Sequence, residues 1–259
     1  MSYADALDAL TTVPPAPAVV RVTIPEGPSR REVAAIVADA GVRGDYVAAS
    51  ATSPALRPRS YGAPKGTSAL EGFLFPATYE LRPDQTASTL VSQQLAAFKQ
   101  NFAGVSLKRA KRKNLTAYDV LTIASMIERE AAVARERRLV AAVIYNRLKA
   151  GMALGIDATL RYELNDWTNP LRASQLARDT PFNTRTRTGL PPTPIGNPGL
   201  ASIRAAANPA NVPYLYYVVK PCGKGAHAFS STDAQFQRDV AAYNTARAEA
   251  GGRSPVSCR

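Results

Sequence analysis

Apolar positions fall along the chain in short blocks whose spacing alternates between strand-like and helix-like. Val19 to Ile24 (VVRVTI) is rich in β-branched residues and reads as a strand, stopped by Pro25, Glu26 and Gly27. Ser29 then offers an N-cap for a helix through Ala40, closed by Gly41, and Gly44 to Ser50 reads as a second short helix. This strand–helix–helix unit holds few large apolar residues and is not expected to stand alone. Residues 51–69 carry Pro, Gly and Ser and read as loop. Leu70 to Leu81 (LEGFLFPATYEL) is aromatic but contains Pro76, which makes it an edge strand or an extended turn. Thr86 to Phe102 has helical spacing, with Leu90, Leu95 and Phe98 on its buried side.

Beyond a charge run at 108–113 (KRAKRK), the spacing predicts a main helix from about Thr116 to Ala134 and another from Arg135 to Lys149, ending at Gly151. Asp179 to Gly199 holds five prolines and cannot be regular structure. A helix at Leu200 to Ala207 follows, then a strand at Tyr214 to Val219 (YLYYVV), a glycine turn and a return strand at 226–230. A last helix runs from Asp233 to about Ala248, and no internal repeat is visible. The order of elements predicts an α+β fold in two unequal parts.

Composition narrows the classes. The 259 residues suffice for one large or two small domains, and 46% hydrophobic with 20% charged residues is an ordinary globular balance. The 32 Lys and Arg against 20 Asp and Glu give a net charge of +12, which favours a polyanionic partner: nucleic acid, an anionic membrane surface or an acidic wall polymer. Two cysteines make neither a disulfide scaffold nor a structural zinc site, and the lone His227 excludes a His-rich metal centre. Residues 1–20 contain no Lys or Arg and lack the continuous apolar core of a signal peptide; no run of about 20 apolar residues occurs.

The segment LTIASMIEREA, Leu121 to Ala131, carries the candidate chemistry. At 100° per residue, Leu121, Ala124, Ile127 and Ala131 form a buried stripe, and Glu128 lies at its edge beside Ala124, Ser125, Ala131 and Ala132. Those small neighbours leave room for a ligand at the carboxyl. Glu130 points nearly the other way, among Met126, Ile127, Val133 and Ala134. A carboxyl partly withdrawn from water keeps its proton near neutrality, as a general acid must. Against this stands the ordinary reading, in which both glutamates are solvated or ion-paired.

Seven separated motifs then occur in register: VTIPEG at 22–27, LEGFLFPATYEL at 70–81, IASMIEREA at 123–131, YNRL at 145–148, GLPPTPIGNPG at 189–199, AANPANVPYLYYV at 206–218 and HAFSST at 227–232. With them the chain resembles the MltG (YceG-like) family of endolytic murein transglycosylases across nearly all of residues 19–245. The resemblance implies a lyase that cuts peptidoglycan glycan strands internally to leave 1,6-anhydro ends, with no metal and no organic cofactor. It implies a LysM-like subdomain at 19–82, after a leader at 1–18, packed on a catalytic domain at 83–248, with a tail at 249–259. It also implies a cell membrane location facing the wall, an anchor upstream of Met1, and partners in the peptidoglycan synthesis machinery. The catalytic glutamate then lies in the Glu-x-Glu pair. Glu128 is the first choice, for its small-residue hollow, and Glu130 the second.

Other candidates for substrate binding are Asn146 and Arg147, which can meet Glu128 across a short turn, although Arg147 serves equally as an ion-pair partner. Asp157 and Thr159 stand where the family has Asp-Pro-Thr; Ala158 replaces the proline, which loosens that turn. Asn183 and Thr184 offer groups to sugar hydroxyls, or the 181–199 loop is simply a rigid cover; Phe182 stands where a tyrosine is usual. His227 either binds substrate or bonds locally. Cys222 and Cys258 are expected to pair outside the cytoplasm. Two other readings compete: an inactive wall-binding module, disfavoured because both glutamates are present, and a basic nucleic-acid-binding protein, which rests on charge alone because the 108–113 run has no interleaved aromatics.

Overall fold

The computed structural model describes residues 2–4 and 19–256. β1 (Val20–Thr23) pairs antiparallel with β2 (Thr78–Leu81), placing Val20 opposite Leu81 and Thr23 opposite Thr78. Between them in sequence lie α1 (Arg30–Asp39), α2 (Tyr46–Ala49) and a 3-10 turn at Pro58–Tyr61. α1 begins where its cap predicts, because Glu32 reaches back to the Ser29 backbone N–H at 2.8 Å while the Ser29 hydroxyl accepts from Glu32 N.

The chain continues with α3 (Ala87–Ala103), α4 (Lys108–Lys111), α5 (Ala117–Glu130), a 3-10 turn at Ala134–Glu136, and α6 (Arg137–Lys149). It continues through α7 (Asp157–Leu164), α8 (Ala173–Leu176), α9 (Leu200–Ala207), the antiparallel pair β3 (Tyr216–Val219) and β4 (His227–Ser230), and α10 (Asp233–Glu249). The α+β expectation holds. No sequence signal announced α7, and the 108–113 charge run includes a short helix.

α5 is the centre of the molecule. A Thr116–Asp119 capping box starts it, and Tyr118 and every residue from Val120 to Ile127 are buried. It is therefore enclosed on all sides, not along one stripe, with α9, α6 and α7 packed around it. The helix stops at Glu130, four residues before the predicted end, and Ala131 leaves helical geometry. No Gly or Pro marks that stop, so the alanines that follow read as more helix. An aromatic cluster fills one side, with Phe73 at 5.1 Å from Phe98 and 5.2 Å from Tyr61 between ring centroids. One core runs from Val22, Ile24 and Val33 of β1 and α1 to Leu121 of α5 and Ile203 of α9.

Buried polar groups lock the start of α1 to the 70–74 and 194–199 loops. Asn197 accepts from Gly72 N at 2.9 Å and Leu74 N at 3.1 Å, and donates to Pro28 O and to Glu71 Oε1, both at 3.0 Å. Glu71 also accepts from Arg30 N at 3.1 Å and the Tyr162 hydroxyl at 3.1 Å. The loops meet so closely that a Cβ on Gly196 would lie 2.1 Å from Gly27 O, and one on Gly72 (φ +86°) would lie 2.6 Å from Pro194 Cγ. Only glycine fits at either place.

Burial pushes the Glu71 carboxyl from 4.5 to about 7, against its backbone and side-chain donors. The folded protein therefore holds this proton more tightly than the unfolded chain. Its contribution to stability is complete below pH 4.5 and is lost as pH rises through about 7. Melting temperature should fall between those limits, and Glu71→Gln should flatten that slope. An unchanged slope in the variant would mean another group is responsible.

At the other end, α10 buries no residue and lies across β3 and β4, with Phe236 stacked on Tyr216 at 4.9 Å. The described end of the tail runs beside the β3–β4 turn, where Cys222 N donates to Pro255 O at 2.9 Å and Lys224 N to Val256 O at 2.7 Å. Cys222 is disulfide-bonded. The sequence has one other cysteine, Cys258, which lies outside the described residues, as does the 1–18 leader but for 2–4. Among the described residues no helix is long and apolar enough to cross a membrane.

Candidate functional site

The three residues of the Glu-Arg-Glu run diverge, as 100° steps require. Glu128 turns toward the Gly27 turn. Its Oε2 accepts from Gly199 N at 2.9 Å, its Oε1 lies 3.4 Å from Arg137 Nη2, and its side chain is 7% exposed. A Cβ on Gly27 would touch Glu128 Cγ at 3.5 Å. Gly27, Gly199 and Arg137 thus lie in the hollow left by the small helix neighbours. Burial, with Glu128 and its charge close by, raises the neighbouring Glu26 carboxyl. Arg129 pairs with Glu32 and lies over the Trp167 ring at 3.6 Å.

Glu130 turns the opposite way, into a cleft of about 460 Å³. The cleft is assembled from the end of α5, Arg147 in the last turn of α6, the Leu154–Gly155 link, Asp157 at the start of α7, Arg185 of the proline-rich loop, Tyr217 of β3 and Phe236 of α10. Tyr217 donates to Glu130 Oε2 at 3.0 Å. Among the described residues Glu130 forms no ion pair. Burial raises its pKa; the Tyr217 hydrogen bond opposes this, and nearby Asp157 adds to it. The other carboxylate, Asp157, is held by Arg185 Nε at 2.5 Å. The cleft therefore holds one carboxyl that favours its proton and one that is neutralised as a salt.

The remaining sequence candidates divide sharply. Arg147 and Asp157 line the cleft. Arg147 also braces it, donating from Nε to Leu215 O and from Nη1 to Leu154 O, both at 2.6 Å. Neither Asn146 nor Arg147 is bonded to Glu128; that partner is Arg137, which the sequence did not single out. Asn146 spends both amide protons on Val212 O at 2.9 Å and Tyr214 O at 2.8 Å. Asn183 donates to Leu176 O at 2.9 Å and Arg178 O at 2.6 Å. The Thr159 hydroxyl donates to Ile156 O at 2.8 Å and meets the Thr184 hydroxyl at 3.1 Å, both buried. These four side chains hold backbone in place.

The His227 side chain is 8% exposed and its Nδ1 lies 2.8 Å from Glu136 Oε2, while its backbone N–H reaches the same carboxylate at 3.2 Å. It bonds locally, with its ring edge against Tyr217 at 5.2 Å. Despite Ala158, Asp157 and Thr159 sit in an intact first turn of α7. Phe182 packs on Tyr162 at 5.3 Å. Tyr217, Arg185 and Phe236 were missed; in YLYYVV the polar tip of Tyr217 is hidden among strand formers. Among the described residues no group of three or more His, Cys, Asp or Glu is placed to hold a metal.

The model of the YceG-like family matches residues 1–242. The endolytic murein transglycosylase of Bacillus subtilis (strain 168) is 35% identical over 155 residues, 60% of this chain and 43% of that protein. The protein of the same name from Streptococcus pneumoniae (strain R6) is 34% identical over 179 residues, 67% of this chain and 32% of that protein. The crystal structure of a yceG-like protein from Listeria monocytogenes is similar with a TM-score of 0.74 at 27% identity, covering 91% of this chain and 81% of that one. The chain spans less than half the length of the two transglycosylases it resembles.

Proposed function

The chain belongs to the YceG-like family, and on that premise we propose that it is a lytic transglycosylase cutting peptidoglycan glycan strands internally, with Glu130 as acid and then base. The observation that carries the assignment is the contrast within the pair: Glu130 faces an open cleft without an ionic partner, while Glu128 is tied to Arg137 and Gly199 N.

Protonated Glu130 donates to the glycosidic oxygen between MurNAc and GlcNAc as the C1–O bond breaks. The Tyr217 hydroxyl holds Oε2, leaving Oε1 to carry the proton. The carboxylate so formed takes the proton of the MurNAc C6 hydroxyl, whose oxygen closes on C1 to give the 1,6-anhydro end. Glu130 regains its proton and no water is consumed. Ordinary glycosidases need a second carboxyl to serve a water or attack C1; here that candidate, Asp157, is bound to Arg185. Activity on the wall places the cleft outside the cytoplasm, consistent with the disulfide at Cys222.

Digestion of purified glycan strands with mass analysis of the ends tests this directly. Anhydro ends support it; reducing ends mean a hydrolase, and unchanged strands leave the wall-binding alternative. Glu128→Gln should remain active within about tenfold of the parent and lose about 1–3 kcal/mol of stability with its charge-assisted contacts. A folded but inactive Glu128→Gln, with Glu130→Gln active, would reverse the assignment within the pair.

A further inference from the structure

We infer that a second cavity, on the face of α6 away from the cleft, binds an organic phosphate. Its volume is about 490 Å³, within the usual range for small-molecule sites. Its rim carries Arg109, Arg112, Lys113 and Lys149, and no acidic side chain lines it. None of these four cations is in an ion pair among the described residues, whereas Arg21, Arg82, Arg129, Arg137, Arg185 and Arg187 all are. Four uncompensated positive charges around one concavity raise the local concentration of anions.

The floor is apolar, made by Leu115, Leu148, Val212 and the ring of Tyr145, whose hydroxyl is already spent on Ala206 O at 2.7 Å. A bare inorganic ion would leave that floor wet. A phosphate ester covers it with its carbon part while the anionic group meets the rim, and Arg matches phosphate with paired donors. The cavity is pre-formed. Asn146 ties the 212–214 wall to α6 through two carbonyls, Arg138 O accepts from Ala210 N at 2.9 Å, and Arg138 Nε donates to Asn208 O at 3.0 Å. This gives the 108–113 charge run a role separate from glycan cleavage. The chemistry is shared by a soluble phosphate ester and by an anionic lipid headgroup.

The test uses the full chain at low ionic strength, titrated calorimetrically with glycerol 3-phosphate and sedimented with phosphatidylglycerol vesicles, phosphatidylcholine vesicles serving as the neutral control. Arg112→Gln/Lys113→Gln removes two rim charges, and Arg57→Gln/Arg59→Gln removes two exposed charges elsewhere. Saturable binding of the ester, the anionic vesicles or both is expected, weakened about tenfold or more in the rim variant and unchanged in the control. Binding of the soluble ester identifies a soluble source; binding of vesicles alone identifies the headgroup. Glycan cleavage should be the same in all three proteins, so the cavity can fail without touching the catalytic assignment. No binding to either probe overturns the inference, as does equal weakening in both variants. Tighter, rim-dependent binding of an arbitrary DNA oligonucleotide also overturns it, in favour of a polyanion surface.

Discussion

Glu130→Gln should lower the yield of anhydro-ended product by at least about 10²–10⁴, the usual worth of one general acid. The loss should exceed that range if the same carboxyl also serves as the base, because both halves of the reaction then stop. Glutamine keeps the shape and can still accept from Tyr217. Burial already favours an uncharged side chain here, so the melting temperature should stay near that of the parent. The measurement is product mass against time, with melting followed for each variant. Normal cleavage by a folded Glu130→Gln protein would remove the one-carboxyl mechanism.

The second large effect concerns folding. Asn197→Ala deletes a side chain that satisfies two buried backbone N–H groups, at Gly72 and Leu74, and also bonds Glu71 and Pro28 O. Each buried donor left without a partner costs about 1–3 kcal/mol. The expected loss is about 3–5 kcal/mol, a large share of the 5–15 kcal/mol that holds a typical domain together. Denaturant unfolding measures it. A change below about 1 kcal/mol would show that water replaces the amide at no cost and that other contacts hold these loops together.

Local signals explain what could be read from the chain. The Ser29 cap, the β-branched strands and the spacing of Leu90, Leu95 and Phe98 act within a few residues of where they are written, and the corresponding elements stand where expected. The end of α5 was not readable, because no helix breaker marks it. The surroundings of Glu128 were not readable either, for a related reason. Small neighbours on the same helix look like free space, but Gly27 and Gly199 come from distant segments to fill it. Asn146, Asn183, Thr159 and Thr184 read as candidate binding groups, yet their partners are carbonyls and hydroxyls that only the folded loops bring near. A polar side chain that braces backbone looks, in sequence, the same as one that waits for a sugar.

α5 delivers Glu130 as its final residue. Peptide dipoles add along a helix and leave about half a negative charge at that end. A carboxylate placed there is repelled by about 0.3–1 kcal/mol, while the neutral acid is not. In the proposed mechanism the backbone field therefore helps return the proton after each cleavage. It would equally oppose a nucleophile that must remain ionised while it attacks. A carboxyl at this end of a helix, and not at the start of one, suits the proposed proton transfer better than it would a covalent glycosyl ester.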